Sequence, residues 1–98
     1  MLKISIIETK TQLRLVLEGK LIIPWTTEFR AAADNAARNL RGRELVIDVE
    51  NLTAIGEDGT AALDELMRQG ARFLHAGVFT RHVLRQLART VPKKEMKG

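Results

Sequence analysis

The stretch from Glu44 to Met67 reads E-L-V-I-D-V-E-N-L-T-A-I-G-E-D-G-T-A-A-L-D-E-L-M. The unbroken apolar run Leu45-Val46-Ile47 leads into an acidic, glycine-bearing turn, and apolar residues at helical spacing follow. A continuous rather than alternating run points to a strand over residues 45–49 buried on both faces. Such a strand belongs in the middle of a sheet with helices covering it. Residues 51–56 read as the turn, and residues 58–69 as a helix with Leu63, Leu66 and Met67 inward. Glu57, Asp58 and Thr60 then stand at a helix N-terminus, where free backbone N–H groups favour negative charge. Such a place can hold a phosphate, or a carboxylate standing where a phosphate would be.

The remaining elements follow from period and breakers. Residues 3–9 alternate around Ile4 and Ile6. Residues 12–18 put Leu13, Leu15 and Leu17 on one face, with Arg14 and Glu18 on the other. Together they predict a hairpin with one face on the core. Gly19 and Lys20 loosen the second strand, and residues 21–23 lead to Pro24, which suits the first position of a helix. Trp25, Phe29, Ala32, Ala33, Ala36 and Leu40 recur at helical spacing, and Arg41-Gly42-Arg43 reads as the stop. After the acidic helix, Gly70 is a break. Residues 71–76 read as a short strand anchored by Phe73, and residues 78–90 as a last helix. The predicted order is β-β-α-β-α-β-α: an α/β domain with a four-stranded mixed sheet and helices packed on it. Residues 1–91 form one domain, and residues 92–98 a basic, disordered tail.

Charge divides the chain. Residues 1–67 carry eight basic and eleven acidic groups, whereas residues 68–98 carry eight basic and one acidic. Arg81, Arg85 and Arg89 form a stripe on the last predicted helix. One reading of the basic end is a nucleic-acid or anionic-surface binder. The plainer one is a solvated helix face. Trp25 and Phe29 fall in the apolar stripe of a helix, which makes them core rather than a stacking platform for bases. With no cysteine, disulfides and thiolate chemistry are excluded. No signal-peptide core and no membrane-length apolar run is present, and a cytoplasmic location is expected.

Catalysis finds little support. The lone serine, Ser5, lies inside a strand, and no nucleotide-binding or nucleophile-elbow motif occurs. His75 and His82 fall short of the three or four ligands zinc needs. Asp48, Glu50, Glu57 and Asp58 could gather a magnesium ion, and a small metal enzyme using Asp48 and Asp58 is a third reading. The plainer role of Glu57 and Asp58 is to stabilise the helix terminus, Asp58 by capping as well. No cofactor is called for.

The run from Val46 to Leu63 resembles the central motif of the STAS domain, the family of bacterial anti-sigma-factor antagonists and of sulfate-transporter cytoplasmic tails. That motif is an apolar strand ending in Asp, a short connection, then D-S-S-G or D-T-S-G and an apolar helix. Asp48 matches the strand-end Asp, Leu52 and Ile55 match apolar positions, Gly59 the motif glycine, and Leu63 an apolar helix position. The L-R-L-V-L-E-G-K-L segment resembles the second strand with its terminal Gly19, and Gly70-Ala71-Arg72-Phe73-Leu74 resembles the strand after the motif helix. The resemblance covers most of residues 2–90. It implies a STAS-like protein-interaction module in partner switching: an anti-sigma factor with kinase activity phosphorylates the second hydroxyl residue, and the unphosphorylated antagonist binds that kinase. Phosphorylation adds a charge near −2 that repels the partner.

The chain departs from the motif where the switch would lie. Gly56 replaces the Asp, Glu57 the first hydroxyl residue, and Asp58 the phospho-acceptor. Thr60 falls on an apolar helix position, and Ile22 replaces an acidic residue after the second strand. The expected partner surface is therefore Asp48, Gly56, Glu57, Asp58, Gly59 and Thr60. It would serve an anti-sigma factor or another regulatory protein rather than nucleic acid. Asp58 either mimics the phosphorylated state permanently or marks a surface that no longer switches.

Overall fold

The computed structural model describes residues 1–74. Four strands and two helices alternate as β1 (Leu2–Glu8), β2 (Gln12–Leu21), α1 (Trp25–Arg38), β3 (Glu44–Ile55), α2 (Glu57–Arg68) and β4 (Arg72–Leu74). They form one mixed sheet in the order β1-β2-β3-β4. The first pair is antiparallel, and the β2–β3 and β3–β4 pairs are parallel. The expected mixed α/β sheet is thus present. The predicted last helix, its arginine stripe, both histidines and the tail lie outside the described residues.

Each parallel connection needs a crossover, and the two helices supply them. Both crossovers step the same way across the sheet, and crossovers of one hand set both helices on one face. An ion pair of 2.6 Å between Arg30 and Glu65 joins them on the outside. Beneath lie Leu13, Leu15 and Leu17 of β2 and Leu45, Ile47 and Val49 of β3, in one cluster with Phe29 and Leu63. Full burial of each large side chain contributes about 1.5–3 kcal/mol. Val46 is fully buried although it alternates onto the opposite face. The unbroken Leu45-Val46-Ile47 run is therefore buried on both faces, as its lack of alternation predicts.

β3 departs from expectation: it does not stop at Val49 but continues to Ile55. Its pairing with β2 slips twice, once between the Val16–Asp48 and Glu18–Asn51 pairs and again between the Gly19–Leu52 and Lys20–Ala54 pairs. Each slip inserts an extra residue into β3, a bulge that breaks the period of two. Val49 and Leu52, three apart, are consequently both buried. Side chains support both irregularities. Asp48 Oδ1 accepts from the Glu50 N–H at 3.2 Å, and the Thr53 hydroxyl donates to the Gly19 carbonyl at 3.1 Å. Gly19 itself has φ +101, and a Cβ there would collide with the Met1 carbonyl oxygen.

α1 begins one residue later than Pro24 would suggest: Pro24 is the N-cap, and the helix runs from Trp25. The inward stripe contains Phe29, Ala33 and Ala36 as expected, together with Thr26, which is fully buried. At the other end, Arg43 closes the helix. Its guanidinium donates to the carbonyls of Leu40 and Asn39, each at 2.8 Å, and to Glu8 at 2.9 Å. The helix stop read from Arg41-Gly42-Arg43 is thus also a tie between α1 and the β1–β2 hairpin.

The Thr26 hydroxyl has no hydrogen-bond partner among the described residues. Burying such a group costs about 1–3 kcal/mol, and an apolar group of the same shape escapes that cost. Thr26→Val is therefore expected to hold or raise the urea midpoint, by up to about 1 kcal/mol of stability. A clear loss would show that the hydroxyl is satisfied.

Candidate functional site

Leu21, the last residue of β2, is fully buried and pairs with Ile55 at the end of β3. Its carbonyl accepts the N–H of Gly56 at 3.0 Å. Three residues on, Gly59 lies against the same residue. A Cβ on Gly59 would collide with the Leu21 carbonyl oxygen and come within 2.8 Å of Leu21 Cγ. The first turn of α2 therefore sits directly on the end of β2, and only glycine permits that approach.

Gly56 is the N-cap, with extended backbone at φ −87 and ψ 177 and no side-chain cap bond. Glu57 is the first helical residue and is exposed, and Asp58 is the second and partly buried. Asp58 is thus not the N-cap that the sequence suggested; it stands two positions past it. The amide of Thr60 already bonds the Gly56 carbonyl at 2.9 Å. The amides of residues 57–59 precede the first helical bond and make the terminus positive. Two carboxylates in this first turn each contribute about 0.3–1 kcal/mol through the helix dipole. Thr60 is partly buried on the fourth position of the helix, where its hydroxyl follows rather than leads the turn.

The two glycines differ in kind. Gly59 is demanded by packing. At Gly56 the backbone is open to any residue, and a Cβ would only touch Ile22 Cγ2 at 3.4 Å. A side chain at Gly56 would therefore change the surface chemistry without disturbing the fold.

Beside the α2 terminus is a shallow depression of about 660 Å³ lined by Ile22, Ile23, Gly56, Glu57, Asp58 and Ala61. Ile23 is 73% exposed and stands next to the partly buried Ile22, so this edge of the depression is apolar. The sequence marks Ile22 only as a departure from the motif, and it does not place Ile23 or Ala61 at the site. The available signal was three successive apolar residues, Leu21-Ile22-Ile23, running past the end of a strand into Pro24. One of them is needed for the core, and the other two flank a charged helix end.

Asp48 is not part of this grouping. It lies in the body of β3, on the face away from the core cluster by alternation, and supports a bulge. The seven residue steps of strand from Asp48 to Ile55 span about 23 Å, so Asp48 and Asp58 are not neighbours. No group of three histidines or carboxylates that could hold a metal ion occurs among the described residues. No helix among the described residues is long and apolar enough to cross a membrane.

Two solved structures share this architecture. The anti-sigma-factor antagonist SpoIIAA in its unphosphorylated form superimposes with a TM-score of 0.56 at 17% identity, over 72% of this chain and 69% of that one. An antisigma-factor antagonist, a STAS domain from Rhodobacter sphaeroides, gives a TM-score of 0.58 at 23% identity, over 76% of this chain and 86% of that one. No protein-family model and no curated protein matches the sequence. The fold is that of the STAS-domain anti-sigma-factor antagonists.

The contrast between the two glycines is measurable. Gly59→Ala is expected to lose about 1–3 kcal/mol in urea unfolding, despite the higher helix propensity of alanine. Gly56→Ser supplies a side-chain cap and is expected to be neutral or to gain roughly a few tenths of a kcal/mol. Equal effects at both positions would remove the packing argument.

Proposed function

We propose that this chain is a non-catalytic STAS-like interaction module whose partner surface is the first turn of α2 with the Ile22–Ile23 lip beside it. Its partner is an anti-sigma factor with kinase activity or a related bacterial regulatory protein, met in the cytoplasm, and its role belongs to the control of transcription. The observation that carries this reading is the position of Asp58. It stands on the second residue of α2, at the place where the resemblance puts the phospho-acceptor, beside an exposed isoleucine on a fold shared with anti-sigma-factor antagonists.

A carboxylate cannot form the stable phosphoester that a serine forms, so position 58 keeps a single negative charge. The departures from the motif at Gly56, Glu57 and Asp58 occur together, which supports a surface that binds without being switched. One negative charge is less than the near −2 of a phosphate, and a partner that tolerates Asp58 need not tolerate a phosphoserine.

The test compares wild type with Asp58→Ser against an anti-sigma kinase, with and without ATP. Wild-type binding is expected to be indifferent to ATP. The serine variant, once phosphorylated, is expected to weaken by about tenfold or more, equivalent to about 1.4 kcal/mol. Stoichiometric labelling of wild type on Thr60, or loss of wild-type binding with ATP, would contradict an unswitched surface.

A further inference from the structure

We propose that two copies of this chain pair antiparallel along β1, joining their sheets across a twofold axis through Ser5. This goes beyond the partner surface proposed above and rests on a different element. β1 is an edge strand in the sheet order, and among the described residues no strand pairs with its outer side. Soluble proteins protect such edges with proline, bulges, shortness or charged side chains. β1 has no proline or bulge, and its two charges, Lys3 and Glu8, lie near its ends. It runs seven residues, its pairing with β2 is unbroken from Leu2 to Glu8, and its centre is Ile4-Ser5-Ile6-Ile7. Of the four exposed large hydrophobic residues among those described, two lie in this short centre: Ile6 at 54% and Ile7 at 46%.

Register selects the copy as the occupant. Leu2, Ile4 and Ile6 pair with Gly19, Leu17 and Leu15, and so share the face that carries the helices. A twofold axis normal to the sheet keeps faces aligned, so residues of like parity must oppose one another. Centring on Ser5 uses the whole strand. It sets Ile4 against the Ile6 of the second copy on the helix face, Lys3 against Ile7 on the other, and Ser5 against itself. Charges then stay near the ends, and no two like charges are opposed. Centring on Ile4 leaves Ile7 and Glu8 unpaired. Centring on Ile6 leaves Leu2 and Lys3 unpaired and sets Glu8 against the central Ile4, whereas the Ser5 register sets Glu8 against Leu2 at the strand end. The strand is thus self-complementary in the one register that pairs all seven of its residues, and that register covers both exposed isoleucines.

The chain has no cysteine, so one introduced thiol reports on this register. Directly opposed Cα atoms in an antiparallel pair lie about 4.5–5.5 Å apart, within disulfide reach. Ser5→Cys is expected to form a covalent dimer on mild oxidation. Lys3→Cys faces the same side but is displaced from its own copy by four residues, about 13 Å, and is expected not to. Sedimentation of the wild type in the micromolar range should show twice the chain mass, and Ile6→Lys, at an exposed position, should halve it while keeping its circular dichroism. A monomeric wild type, equal cross-linking of the two cysteine variants, or an unchanged dimer in Ile6→Lys would overturn the proposal.

Discussion

The contact between Leu21 and the first turn of α2 is the constraint on which the rest of the structure depends. Leu21 ends β2, pairs with Ile55, takes the amide of Gly56 on its carbonyl and underlies Gly59. Through it the end of the sheet, the α2 N-cap and the core meet in one residue. The consequence is positional. With α2 seated this closely, its terminal carboxylates stand beside the chain that leaves β2, and Ile22 and Ile23 are held next to Glu57 and Asp58. An apolar lip and an acidic helix end thereby become one surface, although more than thirty residues of sequence separate them.

The bulges of β3 serve the same geometry. A regular strand of this length would carry its alternation straight through and present Leu52 to the wrong face. The first inserted residue lets Val49 and Leu52 both turn inward, and the second does the same for Leu52 and Ile55. Asp48 and Thr53 satisfy backbone groups at those insertions. Asp48 therefore shapes the strand that delivers α2 to its seat, and does so from the body of the sheet rather than from the site.

This division explains what could be read from the residues alone. The buried run at Leu45-Val46-Ile47, the leucine alternation in β2 and the helical spacing of Phe29, Ala33 and Ala36 each express one period, and each led to the correct element. β3 beyond Val49 was misread as a turn because bulges erase the period of two and leave polar residues in a strand. Ile22 shows in the sequence only as a missing acid and Ile23 does not show at all, because the importance of both depends on a neighbour brought in by folding. Gly59 was visible as a motif glycine, but its cause, the carbonyl of Leu21, was not. At Gly56, Glu57 and Asp58 the reverse holds. Their identities, not their coordinates, separate this chain from the motif it resembles.

A docked partner should leave its trace on the backbone of the surface formed by the Leu21 seat. The direct measurement is amide hydrogen exchange of the chain alone and in complex with a bound anti-sigma factor. Protection is expected to rise at Ile22, Ile23 and the amides of residues 56–61, with the C-terminal half of α1 unchanged. Protection confined to α1 or to the β1–β2 turn, with the start of α2 exchanging as freely as before, would contradict the account.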